Sequence, residues 1–264
     1  MHGKNLPLID ILIPVYNSEN FIEKTLESII TQSFYHYNIY VIDDCSNDRT
    51  LSVIQKYKSK INLVKLKKNM GQAFCRNFGM RISHSKYICF LDSDDYWHKD
   101  KLFKQLKFME KYNLDFSYTN YATIDENNKK KTDISVKNYN SVDEFMNDTS
   151  IATSSIMLKR SVINNLKFKK KGFGFDDYIF KCEILKKTKN SKLLDESLLF
   201  YRVRGNSISS KPIRNLIWIW RINKDYFKVN FFRNFESLFG ITKSSILKYR
   251  LKPFLKNLKN KIKL

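Results

Sequence analysis

The sequence predicts an α/β protein: a doubly wound, mostly parallel, Rossmann-like sheet followed by a helical, basic C-terminal extension. Short apolar runs alternate with helical patterns from residue 9 to residue 111, which is the rhythm of βαβ units. Three of the runs end in polar clusters, Tyr16-Asn17, Asp43-Asp44 and Asp92-Ser93-Asp94-Asp95. In doubly wound sheets ligands bind beyond the carboxyl ends of the strands, so the three clusters predict one site. From Pro212 onward the pattern becomes aromatic and basic and strand signals cease.

Residues 9–15 (IDILIPV) read as a strand buried on both faces, ended by Tyr16-Asn17-Ser18. Ser18 or Asn20 can cap a helix on which Ile22, Leu26, Ile29 and Ile30 recur at helical spacing. Residues 39–42 form a second strand that runs into Asp43-Asp44. Ser46, Asn47 and Asp48 then offer cap chemistry to a helix through Leu51, Ile54 and Tyr57. Residues 61–66 are a third strand, 71–82 a helix, and 87–91 (YICFL) a fourth strand. Helices follow at 102–111 and 175–187, with strands at 116–121, 151–158 and 198–203. Residues 125–131 read as a polar turn, and a boundary near residue 210 separates segments 1–210 and 211–264.

The chain has 264 residues, enough for one α/β domain with a small appendage. Hydrophobic residues make up 42%, so a core forms and disorder is excluded as the default. The net charge of +22 points to a polyanionic partner: nucleic acid, anionic lipid or a phosphorylated substrate. Cys45, Cys75, Cys89 and Cys182 form no CxxC, and no His stands at metal spacing. All four are expected to be reduced core residues of a cytosolic protein, without a zinc site. Residues 1–6 lack the apolar segment of a signal peptide, and no transmembrane helix is expected.

Asp92 and Asp94 stand one residue apart at a strand end, where two carboxylates can reach one hard divalent cation and its bound phosphates. Read alone, Asp94 or Asp95 can instead cap the next helix. Asp44 can accept an N–H bond from a nucleobase, and Tyr16 and Asn17 can wrap base or ribose. Arg76 can pair with a phosphate or lie on a solvated helix face. Asp176-Asp177 follows Gly172-Phe173-Gly174. A carboxylate there can activate a sugar hydroxyl, or simply favour the helix N-terminus.

The runs PVYN (Pro14–Asn17), VIDDCSNDRT (41–50), NMGQAFCRNFGM (69–80), YICFLDSDD (87–95), GFDDYIF (172–180) and YRVRGNSIS (201–209) together resemble glycosyltransferase family 2, of the GT-A fold. The match spans residues 7–210 in the family's order. The resemblance implies that Pro14, Tyr16 and Asp44 hold uracil and ribose, with Asn17 and Ser93 beside them and Arg76 approaching the donor. It implies that Asp92 contacts ribose or metal, and that Asp94 binds the Mn²⁺ or Mg²⁺ that bridges the diphosphate. Asp177 becomes the catalytic base, with Asp176 where the family often has Glu. Ser85 stands where the family commonly has Gly. The implied reaction is an inverting displacement that moves a hexose or N-acetylhexosamine from a UDP-sugar to a hydroxyl of a lipid-diphosphate-linked saccharide. Such chemistry builds surface polysaccharide, O-antigen or capsule.

Other classes fit less well. A dehydrogenase needs GxGxxG after the first strand, and PVYNSEN contains no glycine. A nucleic-acid-binding protein explains the charge but not acidic clusters at three strand ends, so no nucleic acid is expected as a partner. A non-catalytic nucleotide-sugar-binding module remains the alternative. The final segment holds Trp218, Trp220, Phe227, Phe231, Phe232, Phe235 and Phe239, then eight Lys or Arg and no acid in residues 243–264. It reads as a peripheral anchor to an anionic membrane, on the cytoplasmic, inner face of the cell membrane, or as a helical tail with a solvated basic face. Arg202 and Arg204, near Asn206-Ser207, are expected to meet an acceptor or a phosphate.

Overall fold

Every residue of strand β1 (Ile9–Val15) is buried. It is an interior strand of the sheet in the computed structural model of the chain, which describes residues 8–164, 166–169, 175–188, 190–204 and 212–248. Gly172-Phe173-Gly174, Asn206-Ser207 and the basic tail beyond residue 248 lie outside the described residues. Two neighbours flank β1, both parallel: β2 (Tyr37–Asp43) and β4 (Tyr87–Phe90). β4 pairs with β1 only as far as Leu12, so Pro14, which has no N–H, lies past its end. The buried Asp10 in β1 accepts bonds from the His84 and Ser85 N–H groups, the Ser85 hydroxyl and the Asn38 amide. Ser85, which stands where the resembled family commonly has glycine, thus helps to satisfy a buried carboxylate.

β3 (Asn62–Lys65) extends the parallel half, and the order is β3-β2-β1-β4-β8-β6-β9-β5. β8 (Met157–Lys159) is antiparallel to β4 and to β6 (Phe116–Ile124). β9 (Ser191–Arg202) is parallel to β6, and β5 (Tyr96–Trp97) is antiparallel to β9. β7 (Lys130–Ile134) pairs with β6 off this path. The sheet, expected to be mostly parallel, is parallel in its first half and mixed in its second. Helices α1 (Ile22–Ile30), α2 (Thr50–Gln55), α3 (Gln72–Ile82) and α4 (Lys101–Lys111) follow the expected order.

The expected strand at 151–158 is a correction. Only its end is extended, because Thr153–Ser155 forms a 3-10 turn. Cys45 is also corrected: it is exposed, with φ 64°, while the other three cysteines are buried.

Lys101 at the start of α4 is fully buried, its Nζ donating to Gln105 Oε1 at 2.7 Å and lying 4.2 Å from the Trp97 ring centroid. Burial brings its pKa down from 10.5 to about 8. The folded state then holds the proton more weakly than the unfolded chain, so stability falls as pH drops from about 10.5 to about 8. Lys101→Met should gain on wild type over that window by up to about 3 kcal/mol. Chemical denaturation of both proteins across the window checks this. A pH-independent difference would mean that Lys101 titrates normally.

The remaining helices are α5 (Val142–Met146), α6 (Arg160–Ile163), α7 (Asp176–Lys187), α8 (Pro212–Asp225) and α9 (Phe231–Ile246). α8 and α9 pack on each other and on the sheet domain through polar contacts. Asn223 accepts from the Tyr178 hydroxyl at 2.7 Å and donates to Asn234 Oδ1 at 3.0 Å. Ser237 donates to the Met146 carbonyl at 2.7 Å. A Cβ on Gly240 would stand 2.8 Å from the Asn147 carbonyl oxygen, so glycine permits the approach of α9.

Candidate active site

The carboxyl ends of β1, β2 and β4, the first turns of α3 and α7, the end of β9 and the start of α8 enclose one cleft of about 430 Å³. That volume lies in the range of small-molecule sites, ~300–1,000 Å³. Pro14, Tyr16, Asp44, Arg76, Asp92, Ser93, Asp94, Asp176, Asp177, Arg202 and Arg204 all line it, although they come from distant parts of the chain.

The first wall comes from β1, β2 and the loop before α3. Tyr16 is half-exposed at the rim. Both Asp44 oxygens are held, by the N–H groups of Met70 and Gly71 at 2.7 and 2.8 Å. Gly71, at φ 88° and ψ 157°, has a backbone conformation reserved for glycine, which lets this loop turn onto Asp44. The lone pairs left on Asp44 can still accept a nucleobase N–H. Asn17 is corrected. It is not among the lining residues: its N–H donates to Ser46 and its Oδ1 accepts from the Asn47 N–H, tying two loops together. Cys75 lines the cleft as a protonated thiol, because burial and then Asp44 push its pKa up to about 12.

Behind β4, one hydroxyl organises the Asp92–Asp95 segment. Ser154 Oγ accepts from the Asp92 N–H at 3.1 Å and donates to Asp95 Oδ2 at 2.6 Å. Asp95 also accepts from the Arg202 N–H at 2.9 Å. It is fully buried, and burial followed by Asp94 pushes its pKa well above the usual carboxylate range. Asp95 is thus a structural acid, while Asp92 and Asp94 face the cleft. Burial raises the Asp94 pKa; Arg204 opposes this and Asp92 adds to it.

Arg76 is 2% exposed and bridges the two acidic pairs. Nη2 meets Asp92 Oδ1 at 2.6 Å and Nη1 meets Asp176 Oδ2 at 3.5 Å, with the Phe168 ring 5.0 Å away. A solvated helix face is therefore ruled out for Arg76. Gln72, one turn earlier, also donates to Asp92, at 3.0 Å. The two carboxylates of α7 differ. Burial raises the Asp176 pKa against the pull of Arg76. Burial would also raise Asp177, but Lys181 at 2.8 Å outweighs it and holds Asp177 below its ordinary value. Thr153 donates to Asp177 at 3.3 Å.

Arg204 Nη2 meets Asp94 Oδ2 at 3.0 Å and is partly exposed, so it stands where a phosphate can reach it. Arg202 is corrected. Its guanidinium donates to the carbonyls of Asp94, Asp125 and Glu126 and to Asn128 Oδ1. It braces the end of β9 against the DSDD turn.

The donor set suits a hard cation. Among the described residues no group of three or more His, Cys, Asp or Glu could hold a metal ion. Asp92 and Asp94 offer two carboxylates, a donor set that would fit a hard divalent cation shared with a diphosphate. Burial raises the Asp94 pKa and the Asp92 charge adds to it, and a bound divalent cation would oppose both.

Ser154, Gln72, Thr153 and Lys181 escaped the sequence reading. Only Lys181 had a local signal, four residues after Asp177 on one helix.

The family model "Glycosyl transferase family 2" matches residues 10–188. TuaG of Bacillus subtilis (strain 168), whose name provisionally assigns it to teichuronic acid biosynthesis, is 30% identical over 231 residues, 86% of this chain and 91% of that protein. The UDP-Glc:alpha-D-GlcNAc-diphosphoundecaprenol beta-1,3-glucosyltransferase WfaP of Escherichia coli is 34% identical over 220 residues, 80% of this chain and 84% of that one. The crystal structure of S. aureus TarS 1-349 in complex with UDP-GlcNAc superposes with a TM-score of 0.71 at 20% identity, covering 93% of this chain and 74% of that chain. The fold is GT-A, and the chain belongs to glycosyltransferase family 2.

Proposed function

We propose that residues 1–210 catalyse metal-dependent, inverting transfer of a hexose or N-acetylhexosamine from a UDP-sugar to a hydroxyl of a lipid-diphosphate-linked saccharide. The observation that carries this reading is the facing of two acidic pairs, Asp92/Asp94 and Asp176/Asp177, across one cleft with Arg76 between them. In the proposed reaction Asp177 takes the proton of the acceptor hydroxyl as its oxygen attacks the anomeric carbon. The bond from that carbon to the diphosphate breaks, UDP leaves, and an α-linked donor gives a β-linked product. Lys181 and Thr153 orient Asp177 and keep it ionised at neutral pH. Arg204 meets the departing diphosphate, and Asp44 accepts from uracil N3–H. Asp94, with Asp92, would hold Mn²⁺ or Mg²⁺, which when bound neutralises charge on the leaving diphosphate.

The names of WfaP and of the TarS complex support a UDP-sugar donor, and that of WfaP supports a lipid-diphosphate acceptor. The same acceptor class supports a place in surface-polysaccharide assembly on the inner face of the cell membrane. Among the described residues no helix is long and apolar enough to cross a membrane. Residues 211–264 therefore serve in this proposal as a peripheral attachment.

Titration calorimetry with Mn²⁺ tests the donor. UDP should bind and GDP should bind at least about tenfold more weakly, because a site built for one base leaves polar groups unpaired with another. Tight GDP binding without UDP binding would overturn the assignment.

A further inference from the structure

Helix α9 is amphipathic with its apolar side outward. Its buried residues are Asn234, Ser237, Ile241 and Ser244, three of them polar. Its phenylalanines point away: Phe231, Phe232, Phe235 and Phe239 are 65%, 79%, 62% and 65% exposed. Spacings of three and four residues put Phe232, Phe235 and Phe239 on one face, which Ile246 continues. Single exposed apolar residues need no explanation, but a row of phenyl rings does.

The row adjoins α8, whose start lines the cleft. Phe231 packs edge-on to Trp220 of α8 at 5.5 Å. Ile213 and Ile217, one turn apart on α8, are also exposed, and Asn215 of the same helix lines the catalytic cleft. Trp218 and Trp220, expected as the interfacial aromatics, are only partly exposed. Trp218 is packed edge-on to Phe175 at 5.5 Å.

We propose that the outward face of α9, with Ile213 and Ile217 of α8, is a docking surface that inserts into an anionic lipid bilayer. This deepens the reading of the acceptor as lipid-linked and rests on it for its purpose. Charge selects the occupant. Lys224, Lys228 and Lys243 are exposed on or beside the two helices, against the exposed Asp225 and Glu236, and residues 249–264 carry six more Lys or Arg and no acid. A second copy, also at +22, would bring like charge to the rim, whereas anionic headgroups neutralise it while acyl chains receive the rings. The bilayer then lies beside the cleft entrance, where a lipid-linked acceptor arrives.

Co-flotation of the full chain with phosphatidylglycerol/phosphatidylcholine vesicles and with pure phosphatidylcholine vesicles tests this. Wild type should float with the anionic vesicles. The triple variant Phe232→Ser/Phe235→Ser/Phe239→Ser should lose about tenfold or more in partitioning, since each ring removes buried apolar area, while UDP affinity is unchanged. In a separate variant, Phe235→Trp, fluorescence should be quenched by brominated lipid above the wild-type background. This reading stands even if the triple variant folds poorly. Undiminished flotation of a folded triple variant, or no added quenching at Trp introduced by F235W, would overturn the proposal. So would a wild-type dimer that the triple variant dissociates and that does not float. Transfer to a short-chain, water-soluble acceptor diphosphate separates the two readings: its absence in wild type sinks the transferase assignment and leaves the docking result untouched.

Discussion

Asp177→Asn should lower kcat by about 10²–10⁴-fold, the usual contribution of a general base, while leaving UDP affinity near wild type. Asparagine is nearly isosteric, and its Oδ1 can still accept from Lys181, so the helix start should hold. What it cannot do is take the acceptor proton. Asp176→Asn should behave differently. Asp176 is held by Arg76, which also holds Asp92, so its loss should raise the donor KM more than it lowers kcat. Steady-state kinetics on both variants decides the roles. A near-normal Asp177→Asn beside an inactive Asp176→Asn would reverse them. The environments favour the first assignment. Asp176 is engaged in the Arg76 bridge, whereas Lys181 and Thr153 both meet Oδ2 of Asp177, which fixes that carboxylate while it lines the cleft.

Asp94→Ala should abolish metal-dependent UDP binding and reduce transfer by about 10²–10³-fold or more, the scale seen when one preorganised electrostatic partner of a transition state is removed. The fold should survive. The ion pair of Asp94 is with Arg204, which is partly exposed and can turn to water, while the buried anchoring of this turn runs through Asp95 and Ser154. Circular dichroism and thermal unfolding establish folding, and Mn²⁺ titration with and without UDP reads the site. Wild-type transfer in excess EDTA would remove the metal from the account.

Much of the catalytic half was legible because its strands are buried on both faces. IDILIPV, YICFL and the run into Asp43-Asp44 permit little else, and polar clusters at their ends fall at the switch point of the sheet. The second half was less so. Residues 151–158 have apolar ends, yet the middle turns because Ser154 must reach Asp92, Asp95 and, through its carbonyl, the Trp97 indole. That demand is long-range and leaves no local pattern. β7 (KKTDI) is polar and pairs only with β6, and β5 is two residues long, so neither carries a periodic signal. The aromatic density of α9 was visible, but periodicity shows that a helix has two faces and not which one points inward. Asn223, Asn234 and Ser237 decide that, by satisfying one another between α8 and α9. Arg202 and Asn17 sit on or beside segments that build the site, but their hydrogen bonds go to backbone and neighbouring loops, which no local pattern shows.

Product stereochemistry tests the central claim most directly. The protein would be incubated with Mn²⁺, a GlcNAc-diphosphate-lipid acceptor and, in turn, UDP-Glc, UDP-Gal, UDP-GlcNAc and UDP-GalNAc, and the new linkage read from its anomeric proton coupling by NMR. The account predicts transfer from at least one of these α-linked donors and a β-linked product, lost in Asp177→Asn. An α-linked product would contradict direct displacement with Asp177 as base, and release of free sugar without any acceptor product from all four would contradict a transferase on this acceptor class.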